Sequence, residues 1–120
     1  MNERGDILER TKLFSLRVIR MHSSLPETTE SRVIGKQILR SGTSVGAHVR
    51  EGKRSRSKAE MISKTEVALQ ELEETIYWME LLVESGIVKA RRLSELMREA
   101  DELMAILVTS VKTLKHKLKK

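Results

Sequence analysis

The chain has 120 residues, 39% of them apolar and 33% charged, with one proline and no cysteine. That composition belongs to one helical domain, and it excludes disulfides, zinc–thiolate centres and thiol nucleophiles, in keeping with a reducing compartment. The formal charge of +6 directs attention to acidic partners, nucleic acid first.

The opening stretch MNERGDILERTK carries charges where a signal peptide needs its apolar run. No later segment approaches the ~20 apolar residues of a membrane span, so the expectation is a cytoplasmic protein with no membrane partner. Asp6 followed by Glu9 makes a capping-box-like start to a first helix, about residues 6–23. Its apolar stripe is Ile7, Phe14, Val18, Met21 and Leu25, with Leu8 and Ile19 widening it. Pro26 separates it from a second helix, about 30–51, whose apolar positions are Val33, Ile34, Ile38, Val45 and Val49.

Ser57-Lys58-Ala59-Glu60 is another capping box and opens a third helix, about 57–85. Ile62, Thr65, Leu69, Leu72, Ile76, Met79 and Val83 step along it by three and four, with Met61, Ala68 and Leu82 on a second line. Gly86 reads as its left-handed cap. A fourth helix, about 90–118, repeats the pattern with Leu93, Met97, Ala100, Met104, Leu107, Val111, Leu114 and Leu118, and with Leu96 and Leu103 beside them. Regular three-four steps favour near-parallel packing, and short connections force neighbours to run antiparallel. The expected fold is all-α: an up-down-up-down antiparallel four-helix bundle, residues 1–120 as a single domain. Helices approaching 30 residues reach ~40 Å, so the bundle should be elongated.

Gly35, Gly42 and Gly46, with Ser41, Ser44 and Ala47, make the second helix a poor helix former, each glycine costing ~1 kcal/mol relative to alanine. Close backbone approach is the expected return, with Gly42 and Gly46 as helix-packing residues. A phosphate loop would need a preceding strand and a GxxxxGK[ST] pattern, and neither is present. Near the end of the third helix, Tyr77, Trp78, Leu81 and Leu82 carry apolar character round the helix. Self-association is the simplest cover for such a surface, so these four are the expected oligomer interface.

Charge falls in blocks: residues 32–58 carry eight basic side chains against Glu51, whereas residues 59–86 carry seven glutamates against Lys64. Arg50, Lys53, Arg54, Arg56 and Lys58 lie around the hinge between the second and third helices, and Arg40 is expected to reach the same corner. These six are the candidate nucleic-acid-binding residues, which would make binding salt-dependent. The other reading is a solvated turn, or pairing with the acidic third helix of a neighbouring subunit; no interleaved aromatics supply base stacking. Lys112, Lys115, Lys117, Lys119 and Lys120 end the fourth helix, where the helix dipole favours cations. His48 and Glu51 are the sole pair that could bind metal or exchange a proton, but they occur once, and in the reverse order of the Glu-x-x-His units of di-metal bundles. No catalytic residue, metal or cofactor is expected.

Three segments, RSGTSVGAHVREG (40–52), SRSK (55–58) and ETIYW (74–78), together resemble the signature of a bacterial four-helix-bundle family. Its members are encoded by intervening sequences inside 23S ribosomal RNA genes, and it is similar to the accessory variability determinant of diversity-generating retroelements. The resemblance covers about residues 7–118 and implies an up-down bundle assembled as a homopentameric ring. For the retroelement member it implies a basic surface that binds nucleic acid and a reverse transcriptase; for the others, association with the ribosome. By the same resemblance Ser41, Ser44, Glu51, Ser57 and Glu74 occupy recurrent positions, while His48 stands where asparagine is common. The expected function is a non-enzymatic homo-oligomer, a pentamer by resemblance, binding RNA or DNA through its basic surface. The alternative is an adaptor ring that docks a protein partner such as a reverse transcriptase.

Overall fold

A computed structural model describes the backbone of residues 3–119 and the side chains of residues 7–119. Four helices follow one another: α1 (Glu3–Ser23), α2 (Thr29–Lys53), α3 (Lys58–Glu84) and α4 (Ala90–Lys119). Residues 24–28, 54–57 and 85–89 join them, too few to cross the bundle, so each helix runs back along its predecessor. α4 returns beside α1 and closes an elongated up-down-up-down bundle of 51 × 24 × 20 Å. The fold is the one expected from hydrophobic periodicity.

The helix ends follow local chemistry. Thr28, extended at φ −113° and ψ 163°, accepts a hydrogen bond from the Ser31 N–H at 3.2 Å and so starts α2. Ser57 does the same for the Glu60 N–H at 3.1 Å, as the capping box requires. Gly86, at φ 81°, turns the chain left-handed after α3, a conformation that glycine adopts without cost. The start of α1 differs from expectation. That helix is already running at Glu3, so Asp6 is not its cap, and the Asp6 side chain lies outside the described residues.

The core keeps part of each expected stripe, Ile62, Thr65, Leu72 and Met79 on α3 and Leu93, Ala100, Leu107 and Val111 on α4, and elsewhere runs beside it. On α3 the buried line is Ile62, Thr65, Ala68, Leu72, Thr75, Met79 and Leu82, while Leu69, Ile76 and Val83 only flank it. Threonine can sit there because each hydroxyl is satisfied within its own helix. Thr65 donates to the Met61 carbonyl and Thr75 to the Glu71 carbonyl, both at 2.7 Å. On α4, Leu96 and Leu103 are core and Met97 and Met104 flank it. On α2 the buried side is small, made of Ser31, Gly35, Ile38, Ser41, Gly42, Val45, Val49 and Gly52, and Val33 is turned to solvent. Leu82 belongs to the subunit's own core with no exposed surface, so it cannot serve as the oligomer contact expected of it.

The glycines bring α2 close against α1. A Cβ on Gly42 would lie 2.9 Å from both Cγ atoms of Val18, and one on Gly46 would lie 3.3 Å from the backbone oxygen of Thr11. Between α2 and α3 the contact is polar at its centre, where Ser41 Oγ and Thr75 Oγ1 are 2.7 Å apart. Thr75 spends its only hydroxyl proton on the Glu71 carbonyl, so Ser41 is the donor in that buried pair.

Ser31 is the contrary case: its side-chain oxygen is buried with no hydrogen-bond partner among the described residues. Such a hydroxyl costs about 1–3 kcal/mol of desolvation. Ser31→Ala is therefore expected to raise the unfolding midpoint in urea, by the equivalent of about 1 kcal/mol. A lowered midpoint would mean that the hydroxyl makes a stabilising bond, for instance to water.

Candidate nucleic-acid interface

Up-down topology gathers basic residues that are far apart in sequence. The C-terminus of α2, the N-terminus of α3 and the C-terminus of α4 all lie at one end of the bundle. The hinge cluster of Arg50, Lys53, Arg54, Arg56 and Lys58 therefore shares that end with Lys112, Lys115, Lys117 and Lys119. Arg50, Arg54, Arg56 and Lys58 are exposed and form no ion pair among the described residues. Lys53 is half-buried. Lys115 is engaged, its Nζ 3.0 Å from Glu66 Oε2 on α3.

Two grooves flank this end. The first, about 430 Å³, lies between α1 and α2, with Lys12 and Ser15 on one wall, Arg50 and Arg54 on the other, and Gly46 and Ala47 at its base. Small residues on α2 open the groove, and three cations and Glu51 line it. Lys12 is a basic residue that sequence reasoning missed, because only the packing of α1 on α2 brings it beside Arg50 and Arg54. The second groove, also about 430 Å³, brings Lys53 of α2 and Lys117 of α4 together with Thr109, Ser110 and Thr113. Hydroxyls interspersed with ammonium and guanidinium groups are the donor set that positions phosphates.

Glu51 is the sole acid of the hinge cluster. Its Oε1 is 3.3 Å from Lys64 Nζ and 3.2 Å from His48 Nδ1, and hydrogen bonding first to Lys64 and then to His48 holds its carboxyl below the usual range. Lys64 thus neutralises the carboxylate that a metal or a proton-transfer step would need. Among the described residues, no three metal-ligating side chains come together.

Arg40 does not reach the hinge end. It lies ten residues before Arg50 on one helix, about 15 Å along the axis. Its guanidinium instead crosses to α3, with Nη1 3.3 Å from Glu71 Oε1 and Nη2 bonded to Glu74 Oε1. Glu74 also accepts from Trp78 Nε1 at 3.2 Å. The segments RSG and ETIYW, separate in sequence, thus meet as a staple: Arg40 to Glu74, Ser41 to Thr75, Glu74 to Trp78.

Hydrogen bonds from Arg40, and secondarily from Trp78, lower the Glu74 carboxyl below its ordinary value of 4.5. A carboxylate lowered in the fold adds stability that is present above its unfolded value and is lost as pH falls through its folded value. The melting temperature is therefore expected to drop as pH falls below 4.5, and less steeply in Arg40→Met. Solvent reaches both partners, so the Glu74 share is only about 0.5 kcal/mol. Parallel acid limbs in the two proteins would remove Arg40 as the cause.

The expected interface residues differ in exposure. Tyr77 is 53% exposed and meets Trp78 edge to face at 5.1 Å between ring centroids, while Trp78 and Leu81 are half-buried. A second apolar surface, which the sequence did not reveal, lies on α1: Leu13, Leu16 and Ile19 are each about two-fifths to one-half exposed. Among the described residues, no helix is long and apolar enough to cross a membrane.

Comparison with known proteins agrees with this architecture. No curated protein matches the chain. Among solved structures the chain is similar to a protein of unknown function from the S23 ribosomal protein family of Bacteroides thetaiotaomicron VPI-5482. The two are 31% identical with a TM-score of 0.87, and the match covers 92% of this chain and 99% of that one. A family model described as 23S rRNA-intervening sequence protein matches residues 3–109, which include all three signature segments. With that match and the bundle that accompanies it, the chain belongs to the 23S rRNA-intervening sequence protein family.

Proposed function

We propose that this protein is a non-enzymatic helical module that assembles with copies of itself, five by resemblance, and binds RNA through the basic end of the bundle. The observation that carries the reading is the convergence of the hinge and α4 cations at one end, flanked by grooves that add Lys12 and several hydroxyls. Arg50, Arg54, Arg56 and Lys58 are committed to no carboxylate among the described residues and so remain available to phosphate. The exposed apolar surface of α1 and Tyr77 support self-association, which would multiply the cationic ends in one particle. Arg40 is set aside from the binding residues because its charge is spent on α3.

The test is a titration of labelled RNA with the purified protein at several salt concentrations. Affinity is expected to fall with a log–log slope of about −0.7 per phosphate neutralised on a single strand. Absence of binding at low salt, or binding indifferent to salt, would refute the reading. A protein partner captured in high salt without nucleic acid would instead favour an adaptor role.

A further inference from the structure

At the opposite end of the bundle, α1 and α4 approach with like charges. Along the middle of this seam the pairing is conventional: Arg10 Nη2 lies 2.6 Å from Glu99 Oε1 and 3.2 Å from Glu102 Oε1. Seven and ten residues further along α1 stand Arg17 and Arg20, and the antiparallel register sets them against the first turns of α4. There the facing residues are Arg91 and Arg92. All four arginines line one groove of about 330 Å³, with Met21 and Leu96 also on its wall. None of the four forms an ion pair among the described residues. The single acid in the groove, Glu95, is bonded to none of them, and the Ser94 hydroxyl donates to the Arg91 carbonyl at 3.2 Å.

Four guanidinium groups sharing a groove with one carboxylate repel each other, and an anion between them relieves that repulsion. The local backbone adds to the imbalance. Arg91 and Arg92 occupy the first turn of α4, where the helix dipole disfavours cations, and that turn contains no acidic residue. The preceding residue, Lys89, has no side-chain acceptor with which to cap the free N–H groups. Guanidinium forks suit tetrahedral oxyanions, which they grip through paired N–H donors.

We propose that the groove between the C-terminal half of α1 and the start of α4 is a polyphosphate-binding site. Its ligand is a chain of two or three phosphates, either free or as the 5′-triphosphate end of an RNA. The site is separate from the hinge end, which lies at the other extreme of the 51 Å axis. It therefore stands or falls independently of RNA binding at the hinge.

The experiment is calorimetric titration of the full-length protein with sodium tripolyphosphate at ~0.1 M salt, where exposed surface charges are screened beyond ~10 Å. Saturable binding at one site per chain is expected, accompanied by a rise in melting temperature. Arg17→Ala with Arg92→Ala should weaken it about tenfold or more by removing a cation from each wall. Lys36→Ala, which removes an exposed cation of α2 that lines neither this groove nor the two at the hinge end, should leave it within about twofold. Glu95→Gln, which removes the competing carboxylate with little change in shape, should tighten it several-fold. Absence of saturable binding to the folded wild-type protein would overturn the proposal. So would equal weakening in Lys36→Ala, or no gain in Glu95→Gln, since either would mean that the anion answers only to total charge. RNAs carrying a 5′-triphosphate or a 5′-hydroxyl then separate the two sources. A preference for the triphosphate that disappears in the double variant assigns the site to an RNA end. Tripolyphosphate binding without such a preference assigns it to a free ligand.

Discussion

Gly42→Leu is expected to destabilise the protein by about 2 kcal/mol or more, lowering the melting temperature by roughly 8 °C. The reason is distance. Even the first added carbon would lie 2.9 Å from both methyl groups of Val18, a side chain with no exposed surface, and the rest of the leucine would have nowhere to go but into α1. Overpacking of this kind costs about 1–3 kcal/mol and sometimes more. Replacing glycine inside a helix returns ~1 kcal/mol of propensity, which offsets only part of that cost. Gly42→Ala, whose single carbon already crowds the stiff, buried Val18, should also destabilise, though by less than the leucine because the propensity gain offsets more of the cost. Val18→Ala should recover much of the loss when combined with Gly42→Leu, because the two side chains compete for one volume. A Gly42→Leu protein as stable as wild type, by urea unfolding, would show that α1 and α2 are not in contact at this point.

Reversing the charge of the hinge should have the largest functional effect. Arg50→Glu with Arg54→Glu replaces two cations on one wall of the α1–α2 groove by two anions. If each arginine meets one phosphate, the salt slope should fall by about 1.4 on a single strand, and repulsion from the new carboxylates should weaken binding further. A loss of about a hundredfold in affinity at moderate salt is expected, spread evenly over RNA sequences because phosphate contacts carry no base information. Arg40→Glu gives the contrast. Its partners are Glu71 and Glu74, so it should cost some stability through the α2–α3 staple and change RNA affinity little. Equal loss of binding in Arg40→Glu and in the hinge variant would return Arg40 to the nucleic-acid surface and undo the assignment made from the structure.

The architecture was legible where local chemistry is self-sufficient. Ser57 with Glu60, Gly86 and the short connections each specify an end or a reversal without reference to the rest of the chain. Gly42 and Gly46 were legible for a different reason: a helix that tolerates two glycines in an apolar segment must gain from their lack of side chains. The core line of α3 was legible only in part: Ile62, Thr65, Leu72 and Met79 lie on the expected stripe, but Thr75 counts as polar until its hydroxyl is seen to bond back to Glu71. Leu82, set on a second line beside that stripe, was read as surface although it is core.

Sites assembled across helices were the least accessible. Nothing local to Lys12 places it beside Arg54, and nothing local to Arg17 places it opposite Arg92. Both juxtapositions depend on which faces of α1 turn towards α2 and α4. Arg40 failed in the converse way: closeness in sequence to the hinge suggested a shared corner, but along a helix ten residues are a considerable distance. The apolar surface of Leu13, Leu16 and Ile19 went unseen because Ile19 was read as the edge of the core stripe, which leaves Leu13 and Leu16 looking like scattered surface residues.

The proposed function pools basic ends, and so requires that the protein exist as more than one chain. Light scattering on the purified protein at tens of micromolar, without nucleic acid, measures this directly. The account predicts a closed assembly, roughly 68 kDa for five copies of the 13.7 kDa chain, which Leu16→Glu breaks down. A single species of 13.7 kDa under those conditions would contradict it.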